Sequence, residues 1–568
     1  MRRVWLAVVV LVGCSDDGGG SLPDGSGPDG PPAVDAPPDT PRDAAVDAPP
    51  DADPNATVIS AVATDAGLTQ ICHSCIETIV ITGANLQGTT AVRIGAIDAF
   101  VLSMTSTEIR AKVRIPDGFP PGALDVAIDG PSGTTTAPAA IEVTFVTAAA
   151  NAPFGGRGVP QSPANLCDPE LWVGSCTQDE TLGWCPHAPM APSTLHLLAG
   201  THVCDNANPS GGITVEGDGA GITTVESHGA FAIAFDNGFL PPDATTIVRN
   251  VSFAGTPTSA SLLLFTEHYQ IQSVVDDGGI VATSSKSVTV DGYTYTGPAS
   301  RIALDLTPID AGNVAVTNTL IASCKEGLSL KLADTFAGAG LTMASTRIER
   351  CSVGIRLAVP PTTFSAQFPL FEITGVQLHD NTVGIAMAAG SGTLRDVVIT
   401  DDEATAPAGT TGLSISNGDV TFLGGRIEGQ TTGVSMFAST DTAPSVATDG
   451  LTIIGGQIGI GSRALGDQPV LRMRRTTVRD QTGASVTASG DEGILDLGTA
   501  ADPGQNVLSV VSGFALDDAR TNTLPTGQTP NAVGTTLNGH SYAGQLLQGP
   551  LTIGSDLRIA DFRNAWQF

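Results

Sequence analysis

"NTLIASCKEGLSLKL" spans residues 318–332 and "STRIERCSVGIRLAV" spans residues 345–359. The second stretch restates the first. Cys324 and Cys351 are 27 residues apart, as are Gly327 and Gly354, Leu328 and Ile355, and Leu330 and Leu357. The pair belongs to a longer series. A glycine followed by alternating apolar residues recurs at Gly327, Gly354, Gly384, Gly412, Gly433, Gly459 and Gly483, at intervals of 27, 30, 28, 21, 26 and 24. Ahead of most of these glycines sits an aliphatic anchor: Ile321, Ile348, Leu378, Ile427 and Ile453. At Ile399 the gap is longer, because "DDEATAPAG" (401–409) intervenes.

A drifting period of this length, built from short strands, marks a solenoid. Helical repeats need a 3.6-residue periodicity that is absent, and leucine-rich repeats need an asparagine ladder and steadier spacing. A parallel β-helix tolerates variable coils. Insertions leave at the corners while the strands stay stacked about 4.8 Å apart. Glycine is expected at a corner with φ > 0, and the strand after it points two apolar side chains inward on every coil. The expected fold class is all-β: an immunoglobulin-like sandwich followed by a right-handed, single-stranded parallel β-helix. The helix is placed at 195–530, with a Cys-rich connection and N-terminal cap at 148–194 and a C-terminal cap at 531–568.

"LHLLAGTHVCDNANPSGGITVEGDGAGITTVES" (195–227) resembles the opening coils of pectate-lyase-like β-helix proteins. "ILDLGTAADPGQNVL" (494–508) resembles a tail phrase of the uncharacterised DUF1565-type members of that superfamily. The resemblance implies the fold. It does not imply one activity, because the fold carries lyases, hydrolases, adhesins and inert scaffolds.

Residues 57–147 alternate with period 2 between Gly and Pro breaks, the pattern of an antiparallel sandwich. Ile81-Thr82-Gly83-Ala84-Asn85-Leu86 and Val92-Arg93-Ile94-Gly95 resemble motifs of the IPT/TIG immunoglobulin-like domain. That likeness implies a spacer or protein-binding module. "Cys72-His73-Ser74-Cys75" departs from the family. No βαβ context supports a redox dithiol and no second CxxC supports zinc, so a loop disulfide is expected.

The first residues, "MRRVWLAVVVLVGCSDDGGG", combine two arginines with a nine-residue apolar run, Val4 to Val12. The run is too short to span a bilayer and the right length for a signal sequence. Leu11-Val12-Gly13-Cys14 resembles the lipobox of bacterial lipoproteins, which implies a signal at 1–14, acylation of Cys14 and an outer-membrane lipid partner. Ser15 fits that location under the family's sorting rule. Residues 15–56 hold ten Asp, ten Pro and six Gly, without apolar periodicity. Such a stretch is expected to be a disordered, self-repelling spacer. The net charge of −31 argues against nucleic acid as a partner.

Beyond Cys14, eight cysteines remain, and disulfides are expected among Cys72, Cys75, Cys167, Cys176, Cys185, Cys204, Cys324 and Cys351. Cys324 and Cys351 occupy one position of adjacent coils, close enough to bridge; a reduced, stacked pair is the alternative. Carboxylate chemistry on a β-helix needs acids clustered on one strand face. One position after the anchor the coils read Ala322, Glu349, His379, Thr400, Glu428, Ile454 and Arg479. Two positions after it they read Ser323, Arg350, Asp380, Asp401, Gly429, Gly455 and Asp480. Glu349, His379, Asp380, Asp401 and Asp402 form the one acidic and imidazole concentration. They are candidates for a Ca²⁺ or glycan site, or else solvated corner residues. Tyr293 and Tyr295 share a strand face and are candidates for a sugar platform. "Asn538-Gly539-His540" has no evident partner. No cofactor other than a possible Ca²⁺ ion is expected. Two functions stand: a structural or adhesive surface that meets polysaccharide or another envelope protein, and a polysaccharide lyase or glycoside hydrolase.

Overall fold

The computed structural model describes residues 55–568, except 73–75, 117–118, 155–156, 168–193, 210–211, 236–244, 266–267, 332–339, 359–369, 403–408, 440–442, 491–492, 521–529 and 562. Cys14, the acidic spacer up to residue 54, and Cys75, Cys176 and Cys185 lie outside the described residues. Every regular element described is a strand, and the chain winds as a β-solenoid of about 11 turns.

Residues 58–144 form an eight-stranded sheet whose strands are mostly paired antiparallel, such as Val58–Thr64 with Ile76–Ala84 and Gly122–Gly130 with Gly133–Thr144. It has its own core, which includes Ile79, Ile81, Val92, Ile109 and Ile128. Val146–Ala148 then pairs in parallel with Thr194–Leu197, so coil stacking begins as soon as the sheet ends. Arg157 holds the junction through ion pairs to Asp65 at 3.3 Å and Glu77 at 3.7 Å. The Gln161 backbone N–H donates to Gln70, and the Gln161 side chain meets Thr69. The free edge of Val146–Ala148 is met by residues 158–164, through the Thr147 N–H to the Gly158 carbonyl at 2.8 Å and the Ala164 N–H to the Thr147 carbonyl at 2.9 Å, which closes strand backbone that would otherwise invite another chain.

Within the solenoid the repeat sets the register. Leu328 stacks on Ile355, Ile385, Leu413, Val434 and Ile460 in turn. Leu330 stacks on Leu357, Met387, Ile415 and Met436. All of these side chains are buried. The anchors form a third internal row, Ile321–Ile348–Leu378–Ile399–Ile427–Ile453–Val478.

The glycines serve a purpose other than the expected one. Gly327, Gly354, Gly384, Gly412, Gly433 and Gly459 lie within or at the edge of strands and have ordinary negative φ. A Cβ on Gly384 would sit 2.6 Å from the Gly412 carbonyl oxygen and 2.9 Å from Ile399 Cγ2. The same squeeze recurs down the row, so glycine is demanded by the close approach of successive coils and the anchor. Positive φ belongs to other rows, one of them between the second and third strands of each coil: Asn318 (50°), Ser345 (50°), Gly375 (61°), Asp396 (52°), Gly424 (67°) and Gly450 (75°). Gly483 also leaves the series. Ile460 pairs with Val486, so Ser485 stands opposite Gly459.

Two disulfides are described. Cys324–Cys351 joins adjacent coils with a Cα separation of 4.4 Å, and Cys167–Cys204 (5.3 Å) ties the connecting segment to an early coil. Cys72 is disulfide-bonded as well. At the C-terminal end the Leu330 row continues through Ser462 and Ala488 to Asp518, a carboxylate at a lumen position. It is neutralised by Arg520, whose Nε and Nη2 donate to its two oxygens at 2.8 and 2.6 Å. Trp566 Nε1 adds a third donor at 3.0 Å. Antiparallel hairpins and the buried Trp566 and Phe568 close this end.

Candidate functional site

The row after the anchors is paired as its spacing predicts: Ala322–Glu349–His379–Thr400–Glu428–Ile454–Arg479 are partners on successive coils. In the next row Ser323, Arg350, Asp380, Gly429, Gly455 and Asp480 adopt φ of 57°, 56°, 52°, 76°, 71° and 67°. That left-handed corner turns the chain into the glycine strand. Asp401, which opens the insertion, is the one member of the row outside it.

The five candidate residues separate into three environments. Glu349 is clamped between Arg347 Nε at 2.7 Å and Arg350 Nη2 at 2.5 Å, and only 8% of it is exposed. Its charge is spent on those guanidinium groups. Asp401 is turned away from solvent, 6% exposed, with neither carboxylate oxygen in hydrogen-bonding geometry. Burial pushes its carboxyl above the usual range, and the nearby Asp380 charge adds to this. Neighbouring Thr410, Gln430 and His379 pull the other way without reversing the shift. His379, Asp380 and Asp402 do converge, with ligand-capable atoms within 4.8 Å of one another. His379 Nε2 is 3.3 Å from Asp380 and 3.7 Å from Asp402, while Nδ1 meets Thr400 Oγ1 at 3.1 Å and fixes the ring. The Asp402 N–H donates to Asp380 at 2.9 Å.

This donor set does not fit Ca²⁺, which takes about six to eight oxygens. Two carboxylates and an imidazole nitrogen supply too few, and Glu349 and Asp401 face elsewhere. An imidazole beside two carboxylates is also an ordinary ion-pair cluster on a charged corner.

The tyrosine platform is corrected. Tyr293 and Tyr295 are both 0% exposed. Tyr295 stands in the anchor row, between Asp276 and Ile321, so its ring fills the lumen. The shared face is the inner one. Tyr293 Oη donates to Asp276 at 2.7 Å, and Asp276 also accepts from Ser261 and from the N–H groups of Gly278 and Gly279. Burial still raises the Asp276 carboxyl and the Tyr293 phenol above their usual ranges. His540 does have a partner. Its Nδ1 lies 2.8 Å from Asp556, which also accepts from Asn538 and Tyr542. That acid comes from a later hairpin, sixteen residues on, beyond any local motif.

Sequence reasoning passed over one concave feature. A polar cleft of about 270 Å³ opens on the outer face of the second strand of three successive coils. It is lined by Thr245, His268, Tyr269, Gln270, Ser287 and Thr289. Thr245, His268 and Ser287 are one outward row, and Gln270 and Thr289 another. The signal was present in "TTIVR", "HYQIQ" and "SVTVD", whose outward alternate residues are polar apart from Ile247.

No family model matches this chain, and no curated protein matches it. Two solved structures of GH87 alpha-1,3-glucanase catalytic domains are similar to it, each over 82% of this chain and 90% of that chain. The complex with nigerose has 11% identity and a TM-score of 0.34, and a variant with tetrasaccharides has 10% and 0.30. At such values the likeness carries no argument about activity. Among the described residues no helix is long and apolar enough to cross a membrane.

Proposed function

We propose that this chain is a lipid-anchored cell-envelope protein whose β-helix is a non-catalytic surface for binding polysaccharide. The observation that carries the reading is the fate of the carboxylates. Glycoside cleavage needs two of them free on either side of one bond. Here Glu349 is neutralised by Arg347 and Arg350, and Asp401 is turned inward. The anchor rests on the lipobox-like segment ending at Cys14 and on the acidic 15–56 spacer, and the outer membrane is its proposed site. The antiparallel unit over 58–144 is proposed as an IPT/TIG-like spacer between that tether and the β-helix.

The test is incubation with neutral and acidic polysaccharides, following retention of the protein and release of reducing ends or unsaturated products. Retention without product is expected, unchanged by EDTA. Product release that disappears in Asp380→Asn would overturn the reading in favour of the lyase or hydrolase, the one alternative that the His379–Asp380–Asp402 convergence supports. Metabolic labelling with an alkyne fatty acid tests the anchor: label is expected on the wild type and absent from Cys14→Ala.

A further inference from the structure

The cleft over three coils has a composition unlike its chain. The protein carries 57 acidic residues, yet no carboxylate, lysine or arginine lines the cleft. What lines it is hydroxyl, amide and imidazole. Charges along these strands are engaged: Lys286, beside Ser287, has an interaction of its own, Arg249 pairs with Glu216 at 2.9 Å, and Asp291 accepts from Thr317 and Asn318. Within the cleft His268 Nδ1 meets Ser287 Oγ at 2.7 Å, which fixes the ring. Thr245, Gln270 and Thr289 make no side-chain hydrogen bond among the described residues. They project from a rigid sheet whose rungs repeat about every 4.8 Å. A row of uncommitted neutral donors and acceptors, pre-positioned and wet, suits a ligand that offers many hydroxyls and no charge. The volume of about 270 Å³ is just under the range of ~300–1,000 Å³ for drug-sized pockets, and it suits a short saccharide segment.

We infer that this cleft is the glycan-binding site and that it selects uncharged polysaccharide. The inference rests on the binding reading above and adds to it a place and a ligand class. Gln270 and Thr289 carry the selection, because an acidic sugar would meet no cation there.

The test is affinity electrophoresis of the full chain through gels containing a neutral glucan, mannan or galactan, with polygalacturonate as the acidic probe. Wild type, Gln270→Ala/Thr289→Ala and the cleft-filling Thr289→Lys are compared, with thermal midpoints confirming that each is folded. The expected result is retardation by at least one neutral polymer, weakened about tenfold or more in both variants, and none by polygalacturonate. Retardation by a neutral polymer that the variants keep would overturn the cleft assignment and leave the binding reading standing. Retardation by polygalacturonate alone would overturn the ligand class. No retardation by any probe would overturn both the cleft and the binding reading.

Discussion

Replacing Arg520 with alanine would remove the cation from the C-terminal plug. Arg520 is 1% exposed and Asp518 0%. Beyond its two bonds to Asp518, the guanidinium donates Nη1 to the Gly493 carbonyl at 2.7 Å. Truncation leaves a buried carboxylate whose remaining donors are Trp566 at 3.0 Å, the backbone N–H of residue 520 at 3.3 Å and Asn564 at 3.4 Å. Breaking a buried pair from one side costs about 3–5 kcal/mol. The three surviving donors place this case near the lower bound, roughly 3 kcal/mol, or ~10²-fold in the opening equilibrium of the cap. Because a solenoid is coupled mainly between neighbours, the loss should stay near that end. Hydrogen exchange with mass spectrometry reads this directly. Peptides from 546–568 should exchange ~10²-fold faster in Arg520→Ala, while those from 370–400 keep wild-type protection. Asp518→Asn with Arg520→Met should recover most of the loss, because the charge is gone and an amide oxygen still accepts from Trp566. Unchanged cap exchange, or equal loss along the whole solenoid, would refute this reasoning.

Other outcomes follow from the same geometry. Gly384→Ala should lower stability by about 1–3 kcal/mol through overpacking against the Gly412 carbonyl. Gly375→Ala, at φ +61° with no atom within 4 Å, should cost only the left-handed strain of about 1–2 kcal/mol; urea titration compares the two, and a larger loss at Gly375 would contradict the assignment of roles. Replacing both Cys324 and Cys351 by serine opens a 27-residue loop and should cost about 3 kcal/mol by denaturant titration. Asp401→Asn should raise the denaturation midpoint at neutral pH. Burial lifts the Asp401 carboxyl in the folded state above the ordinary carboxylate value of the unfolded chain, so its contribution is fully favourable below that ordinary value and is lost as pH rises through the higher folded pKa. The advantage of the asparagine variant should therefore vanish as pH falls toward 4, and a constant advantage would contradict it.

How much of this was legible depended on which forces wrote the pattern. Lumen rows are written by burial, which acts on every coil alike, so the spacing of Leu330, Leu357 and Met387 was enough to align them. The same alignment placed Glu349, His379 and Thr400 on one outward row. Corner chemistry was not legible, because it is decided by reach. Nothing in the spacing says that Arg347 and Arg350 both bend to Glu349, or that Asp401 turns inward while Asp402 stays with His379. Tyr293 and Tyr295 were misplaced because alternation shows that two residues share a face and not which face. The glycine row was found for a wrong reason: periodicity marks a glycine without distinguishing a forbidden Cβ from a left-handed turn. The slip at Gly483 has the same origin, since Ser485 fills the place where a glycine was sought. His540 found its acid in a later hairpin, and the polar cleft emerged only when three coils were stacked.

The register of neighbouring coils underlies every site described, and a cysteine pair tests it most directly. Ala386 and Ser414 are outward partners on adjacent coils, and Ser435 lies one coil further. Partners about 4.8 Å apart can bridge, whereas residues two coils apart, at roughly twice that, cannot. Under mild oxidation, Ala386→Cys/Ser414→Cys should form a disulfide detectable by peptide mapping, and Ala386→Cys/Ser435→Cys should not. Bridging of the second pair without the first would contradict the coil register on which the account stands.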